Sequence, residues 1–103
     1  MTWEQAAAGF AAMGSESRLQ VLRSLIRAGQ AGLTVSDIQE RTGIAPSTLA
    51  HHIKFLVGAG VIQQERAGRT VINRADFEHL ETLAGFILSE CCADDGQKAA
   101  NDG

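Results

Sequence analysis

Apolar and polar residues recur along most of the chain with the period of amphipathic helices, and two short β-prone runs follow Gly60. In the first helical stretch, Trp3, Ala7 and Phe10 share one side. The chain is therefore predicted to be mainly α-helical with one small β-hairpin. The predicted helices cover residues 3–13, 15–28, 34–42, 43–60 and 76–92, and the predicted strands cover residues 61–65 and 70–73.

The stretch 43–60 has an apolar side and a polar side. Leu49, Ile53 and Leu56 recur at helical spacing and can face a core. Base edges in the DNA major groove offer acceptors, donors and thymine methyls, which suit a helix with a small polar outer face. The alternative is an ordinary buried helix of a small bundle. The outer face here carries hydroxyl, methyl, imidazole and ammonium groups, on Ser47, Thr48, Ala50, His51 and Lys54.

Another predicted helix comes just before this stretch. Thr34 and Asp37 match the capping box that opens a helix, and Gly43 provides a sharp turn at its end. Two helices joined by a turn containing glycine form a helix-turn-helix, whose second helix enters the major groove. We therefore predict a helix-turn-helix over residues 34–60.

The predicted hairpin follows this unit directly and carries Arg66 and Arg69 beside Gly68. Arginines at an exposed tip can reach a minor groove or neighbouring phosphates. A hairpin in this position predicts a wing, and hence a winged helix-turn-helix of about five helices. The alternative is an ordinary solvated hairpin.

The formal net charge of −3 argues against nucleic-acid binding, but the distribution of the charged residues along the chain does not. Residues 41–74 hold a net charge of +4, whereas the rest of the chain holds −7. A basic middle on an acidic body suits phosphate contact, because the local field matters more than the total charge.

The length of 103 residues and the apolar content of 45% fit one globular domain, expected over residues 1–92. Residues 93–103 are polar and contain glycine, so we expect a disordered tail there. Neither a membrane span nor a secretory signal is recognisable, and a cytoplasmic protein is expected. No enzyme is expected either, because the sequence has no CxxC motif, no phosphate loop and no histidine close to its cysteines.

The first and last predicted helices carry more apolar surface than a small winged domain can bury internally. The last helix has Leu83, Ile87 and Leu88 along one broad side, with Phe86 nearby. Packing of these terminal helices across a two-fold axis would bury that surface. We therefore expect a homodimer, which suits a DNA operator with two half-sites.

With these elements placed, the chain resembles the ArsR/SmtB family of winged-helix repressors. The resemblance is carried by RLQVL at residues 18–22, STLAHHIKFL at 47–56, AGVI at 59–62 and GR at 68–69. It implies a homodimer that represses its operator until an inducer weakens DNA binding. It also implies that Ser47, Thr48, His51 and Lys54 face DNA. His52 falls three residues after Leu49, near the apolar side, and this spacing predicts a satisfied structural histidine.

The inducer sites best known in this family are absent from the sequence. Arsenic and cadmium sensors of the founding type carry Cys-Val-Cys at the start of the third helix, whereas residues 33–38 here contain no thiol. Zinc sensors carry Asp-x-His and a later His-x-x-Glu on the last helix. Here Asp76 is followed by Glu78 and His79, with no further histidine, so no zinc site and no constitutive cofactor are expected.

Cys91 and Cys92 remain as a candidate inducer site, predicted to end the last helix. Adjacent cysteines form a relaxed disulfide only with difficulty, but together they can bind one thiophilic centre. Trivalent arsenic or antimony fits, since some arsenic-responsive members of the family carry vicinal cysteines near the C-terminus. Two alternatives stay open: thiol oxidation or persulfide sensing, and a packing role without any ligand.

A rival hypothesis from another class is a winged-helix module that binds a partner protein instead of DNA. Such a module would bind DNA weakly and with little dependence on salt, whereas phosphate contacts make affinity steeply salt-dependent. Arg66 and Arg69 favour the DNA-binding interpretation.

Overall fold

The computed structural model describes residues 1–95, and these residues form five α-helices and a two-stranded antiparallel hairpin. This architecture confirms the predicted winged helix-turn-helix fold. The helices are α1 (Trp3–Met13), α2 (Glu16–Ala28), α3 (Val35–Thr42), α4 (Pro46–Gly58) and α5 (Phe77–Leu88), and the strands are β1 (Ile62–Ala67) and β2 (Thr70–Ala75). Short 3-10 turns lie at Gly29–Ala31 and Ala93–Asp95.

Side-chain caps explain where several helices begin. Thr2 and Thr34 each accept a hydrogen bond from the backbone N–H three residues further on and so open α1 and α3. In the second of these capping boxes, the Thr34 backbone N–H donates to the Asp37 carboxylate at 3.1 Å. This bond, together with the Thr34 side chain, holds the pKa of Asp37 below its ordinary value of 3.8.

The core lies between α2, α3, α4 and the base of the hairpin. Its best-buried members are aliphatic residues that recur at helical spacing within each helix, which is why these sequences form amphipathic helices. Such a core fixes the orientation of α4, because three of that helix's side chains are anchored in it. The largest fully buried side chains are the aliphatic Val21, Leu22, Leu25, Ile38, Leu49, Leu56, Val61 and Leu83, together with the polar Asn73.

The largest apolar side chains of α1 lie on the side of the helix that faces away from the core. Trp3 is 83% exposed, whereas the residues of α1 that face the core are the small Ala6, Gly9 and Ala12. The reason is close packing against α5, because a Cβ atom at Gly9 would lie only 2.8 Å from the methyl carbons of Leu83. Small residues are needed where α1 meets α5, so the bulky ones project outwards.

The last helix is shorter than predicted. The prediction that it extends to residue 92 is wrong, since α5 ends at Leu88 and Ser89 follows as its C-cap. Beyond this point the backbone changes to i-to-i+3 hydrogen bonds, such as that from the Cys91 N–H to the Leu88 carbonyl. The predicted polar tail begins with the 3-10 turn Ala93–Asp95, and its remaining part, residues 96–103, lies outside the described residues.

The described part of the chain contains no candidate membrane-spanning helix. None of the helices within residues 1–95 combines the length and the apolarity that crossing a bilayer requires.

Candidate nucleic-acid interface

The two sides of α4 differ as the sequence predicted. Leu49 and Leu56 are fully buried and Ile53 is 4% exposed, so one side of the helix is anchored in the core. The polar residues are spaced one turn apart on the opposite side. Contact with DNA stays a prediction for these residues, but their accessibility fits it. The exposed residues of this face are Ser47, Thr48, Ala50, His51 and Lys54.

The turn before α4 leaves the first residues of that helix exposed to solvent. α3 ends at Gly43, whose φ of 73° is a left-handed conformation that glycine adopts without strain. Ala45 is the N-cap of α4 and Pro46 lies in its first turn, yet no side chain caps the helix. The backbone N–H groups of the first turn therefore remain free to donate hydrogen bonds, and they lie at the positive end of the helix dipole. Both features favour contact with an anion such as a phosphate.

The hairpin is longer than predicted, and its turn is tighter. β1 and β2 pair in register up to Ala67 opposite Thr70, which leaves only Gly68 and Arg69 in the turn. Gly68 has a φ of 66°, as two-residue hairpin turns require. Arg66 consequently lies within β1 and not in the loop, but both arginines are exposed near the tip.

Asn73 anchors the hairpin to the body of the protein. It is completely buried, and its side-chain amide donates to the Leu33 carbonyl at 3.1 Å and accepts from the Gln64 side chain at 2.9 Å. Its backbone also pairs with Leu33 in an isolated bridge. Local sequence patterns do not indicate this role of Asn73, because its partner lies 40 positions away along the chain.

One of the arginines counted in the basic middle of the chain is engaged within the fold. The guanidinium of Arg74 donates to the Glu65 carboxylate at 2.8 Å and to the Gln30 carbonyl at 2.6 Å. These contacts orient Arg74 towards the loop that precedes α3. The exposed cations of this region are therefore Arg41, Lys54, Arg66 and Arg69.

A further basic surface lies beside the helix-turn-helix. Arg23 and Arg27 of α2 line a shallow depression of about 670 Å³ together with Arg41 of α3. All three arginines are exposed, and none forms an ion pair with a carboxylate within residues 1–95.

The two cysteines lie in the turns after α5. Both are exposed and reduced, and their Sγ atoms are 3.4 Å apart. Cys92 has a φ of 62°, a left-handed conformation that is uncommon for a residue with a side chain. No group of three or more histidine, cysteine or acidic side chains in the described part of the chain is arranged to hold a metal ion. Any ligand of this pair would therefore use two protein sulfurs from one chain.

His52 differs from the satisfied structural histidine that its spacing after Leu49 predicts. Its Nδ1 atom is buried and finds no hydrogen-bond partner within the described residues, so that part of the prediction is wrong. Burial lowers the pKa of His52 below its ordinary value of 6.5, and the nearby charges of Arg18 and His51 lower it further. His52 itself is half-buried, at the edge between the two sides of α4.

Comparison with known proteins identifies the family. Residues 13–65 match the family model described as a helix-turn-helix domain, which is about half of the chain. The chain is also 31% identical over 93 residues to an uncharacterized HTH-type transcriptional regulator, YbzH, from Bacillus subtilis, and the match covers 79% of this chain and 93% of the relative.

Solved structures agree with this assignment. An ArsR-like transcriptional regulator from Rhodococcus superposes with a TM-score of 0.78 at 25% identity, covering 96% of this chain and 90% of that one. The homodimeric winged helix-turn-helix domain Mb0332 from Mycobacterium bovis, a possible ArsR-family regulator, superposes with a TM-score of 0.67 at 25% identity, covering 89% and 81% of the two chains. These relatives agree with the expectation that the chain is not an enzyme. The chain belongs to the ArsR/SmtB family of winged helix-turn-helix regulators, which bind DNA and control transcription.

Proposed function

We propose that two copies of this chain bind an operator through α4 and the wing, and that a thiophilic ligand at Cys91 and Cys92 releases them. The observation that supports the DNA surface best is its continuity. Ala50 and Lys54 of α4 line one shallow depression together with Gln64 of β1 and Val35 at the start of α3. The polar face of α4 and the wing thus adjoin, so a duplex that fills its major groove with α4 can meet the wing at the same time.

In this proposal Ser47, Thr48, His51 and Lys54 contact the major groove, and Arg66 and Arg69 contact phosphates or the adjacent minor groove. The chemistry of each side chain determines which part of the DNA it contacts. Short hydroxyls and an imidazole can exchange hydrogen bonds with base edges, whereas arginines on a narrow hairpin contact the backbone.

The dimer is proposed to form through α1 and α5. Trp3 packs edge-to-face on Phe86 with ring centroids 5.1 Å apart, so these two helices present one joint surface. That surface leaves Trp3 83%, Ile87 66% and Leu88 65% exposed. Exposed apolar residues in such a cluster are typical of an interface, and the structurally similar Mb0332 domain is described as homodimeric.

Fluorescence anisotropy with a labelled duplex from the protein's own promoter region tests the DNA surface. The double variant Arg66→Gln, Arg69→Gln is expected to bind more weakly and to have a shallower salt dependence, by roughly 0.9 in the logarithmic slope for each phosphate that the wing no longer neutralises. The double variant Arg23→Gln, Arg27→Gln removes the same charge elsewhere and should change the slope less. Equal slopes for both variants would exclude specific wing contacts. Wild-type binding that is weak and insensitive to salt would favour a protein partner.

The geometry of the thiols supports a trivalent pyramidal ligand over a tetrahedral metal. With metal–sulfur bonds of roughly 2.3 Å, as for zinc, a sulfur separation of 3.4 Å gives an angle of about 95° at the bound atom, which is narrower than tetrahedral. Arsenic in an arsenical that carries one organic group needs two further bonds. Two thiols supply them: the As–O bonds break, two As–S bonds form, and the thiol protons leave with oxygen as water. Inorganic arsenite would need a third sulfur, from the partner chain or from glutathione.

The site is placed to act on the proposed dimer. Cys91 and Cys92 lie three and four residues after Leu88, which with Ile87 is among the most exposed apolar residues of α5. A ligand that rearranges this turn would shift α5 and hence the spacing of the two α4 helices. A coupling free energy of about 1–3 kcal/mol, typical of allosteric proteins, would release the operator.

Operator binding in the presence of phenylarsine oxide and arsenite tests the inducer. Phenylarsine oxide is expected to weaken DNA binding by about 5- to 150-fold. The variant Cys91→Ser, Cys92→Ser should bind DNA normally and ignore both compounds. If neither compound changes the affinity of the wild-type protein, the arsenic proposal fails. Loss of DNA binding with a persulfide donor alone would instead assign the cysteines to sulfur sensing.

A further inference from the structure

A cleft between α1 and α4 is not explained by DNA binding or by the cysteine pair. It is shallow and open to solvent, with a volume of about 440 Å³. Two of its residues, His51 and Lys54, also belong to the face proposed to contact DNA. The cleft is lined by Ala8, His51, Lys54, Phe55, Gly58 and Ala59.

The floor of the cleft is apolar and held in place. The Phe55 ring is 46% exposed, and the guanidinium of Arg18 lies 4.5 Å from its centroid. Arg18 in turn donates to the Ala12 carbonyl at 2.6 Å and to the Ala11 carbonyl at 3.3 Å, at the end of α1. These contacts connect α1 to α4 and fix the ring against which a ligand could pack.

Gly58 keeps the cleft open. A Cβ atom at this position would meet no other atom within 4 Å, and the backbone φ is not positive, so the fold does not require a glycine here. Gly58 lines the cleft in the last turn of α4, and the lack of a side chain there leaves the space between α4 and α1 open.

The charges around the cleft are all positive or neutral. Lys54 provides an ammonium group and His51 an imidazole, while no carboxylate lines the cleft. A cation beside an apolar floor complements a small molecule that carries one carboxylate on an aromatic body. A neutral molecule would gain no electrostatic attraction from the ammonium group, and a cationic one would be repelled by it.

We propose that this cleft binds a small aromatic carboxylate, with the ring on Phe55 and the carboxylate at Lys54. The bound molecule occupies Lys54 and His51 and thereby competes directly with DNA. The competition rests on the proposed function, whereas binding to the cleft does not. Release from DNA would then have a second route that does not use Cys91 or Cys92.

Amide chemical shifts of the 15N-labelled protein, without DNA, test the binding itself. Titration with 1-naphthoate should shift the amides of Ala8, Phe55 and Gly58 in a saturable manner. The neutral analogue 1-naphthalenemethanol should bind about two- to fivefold more weakly, because it lacks the charged partner for the exposed Lys54. Gly58→Leu fills the cleft and should abolish the shifts, whereas Gly85→Leu, at an exposed helical glycine with equally open space, should not. Ala8→Leu fills the cleft from α1 and replaces Gly58→Leu if that variant does not fold.

The proposal is overturned if the shifts map elsewhere, if both naphthalenes bind equally, or if neither cleft-filling variant reduces binding. Operator anisotropy then tests the competition. Naphthoate should weaken DNA binding of the wild type and of Cys91→Ser, Cys92→Ser, and leave that of Gly58→Leu unchanged. Shifts in the cleft with unchanged DNA affinity would overturn the competition and retain the site. A wild-type protein that ignores DNA altogether would refute the proposed function without affecting the naphthoate titration.

Discussion

Asn73 is the buried polar residue on which the position of the wing depends. It is bonded to the Leu33 carbonyl and to the Gln64 side chain, and it has no exposed surface. A buried side chain whose hydrogen bonds are formed fixes the orientation of the segment that carries it, because any other position would leave polar atoms unpaired. The wing is thus fixed at its base, while the arginines near its tip stay free to contact a ligand.

Replacing Asn73 by alanine is expected to lower the free energy of unfolding by about 1–3 kcal/mol, since the hydrogen bonds are removed and a cavity forms. Urea denaturation followed by circular dichroism measures the change. Thr70→Ala, at an exposed residue of the same hairpin whose side chain forms no hydrogen bond within residues 1–95, is the control and should stay within about 0.5 kcal/mol of the wild type. A similar small effect for both variants would mean that Asn73 does not hold the wing.

His52 makes the stability of the protein depend on pH. Its pKa in the folded state is lowered by burial, so the unfolded chain takes up a proton first as the pH falls below about 6.5. The free energy of unfolding is therefore expected to decrease from that pH downwards, until the folded state is protonated as well. Denaturation of wild type and His52→Phe on both sides of about pH 6.5 checks this. The variant should show a smaller decrease, and an identical pH profile would contradict the assignment.

At the scale of elements, the contact of α1 with α5 depends on small residues. Gly9 lies against Leu83, where a Cβ atom would approach the methyl carbons to 2.8 Å, whereas Gly85 of α5 has open space around it. The two helical glycines therefore differ in the consequence of adding one methyl group.

Gly85→Ala is expected to stabilise the protein by roughly 0.5–1 kcal/mol, because alanine favours the helix. Gly9→Ala brings the same helical preference but forces Leu83 from its place, and overpacking of a core costs about 1–3 kcal/mol. Thermal unfolding of both variants should give shifts of opposite sign. A stabilised Gly9→Ala protein would show that α5 can move away from α1 at no cost in stability.

The helix-turn-helix could be predicted from sequence because its signals are local. Thr34, Asp37 and Gly43 mark the ends of α3, and the spacing of Leu49, Ile53 and Leu56 separates the two sides of α4. The polar face of α4 followed from the same spacing. Each of these features depends on residues only a few positions apart.

Features that depend on distant parts of the chain were not predictable in the same way. Arg74 contributes to the net charge of residues 41–74, but its partner Gln30 lies 44 positions away and engages it within the fold. The large apolar residues of α1 were recognised as one side of a helix, yet only the fold shows that Ala6, Gly9 and Ala12 face the core instead. The early end of α5 was missed, since Ser89 to Cys92 contains neither glycine nor proline.

At the scale of the whole molecule, the outer side of α1 and α5 determines the assembly. Ile87→Glu is expected to convert a dimer into monomers, because it places a charge in an apolar interface. Ile26→Glu, at an apolar residue of α2 that is 43% exposed, is the control and should leave the mass unchanged. Size-exclusion chromatography with light scattering gives the masses. A dimer that survives Ile87→Glu would place the interface elsewhere.

Sedimentation of the protein with a duplex from its own promoter region tests the central claim most directly, because it reports mass and affinity together. The account predicts two protomers on each duplex and an association constant that falls steeply as the salt concentration rises. A single protomer on each duplex, or no complex at low ionic strength, would contradict it.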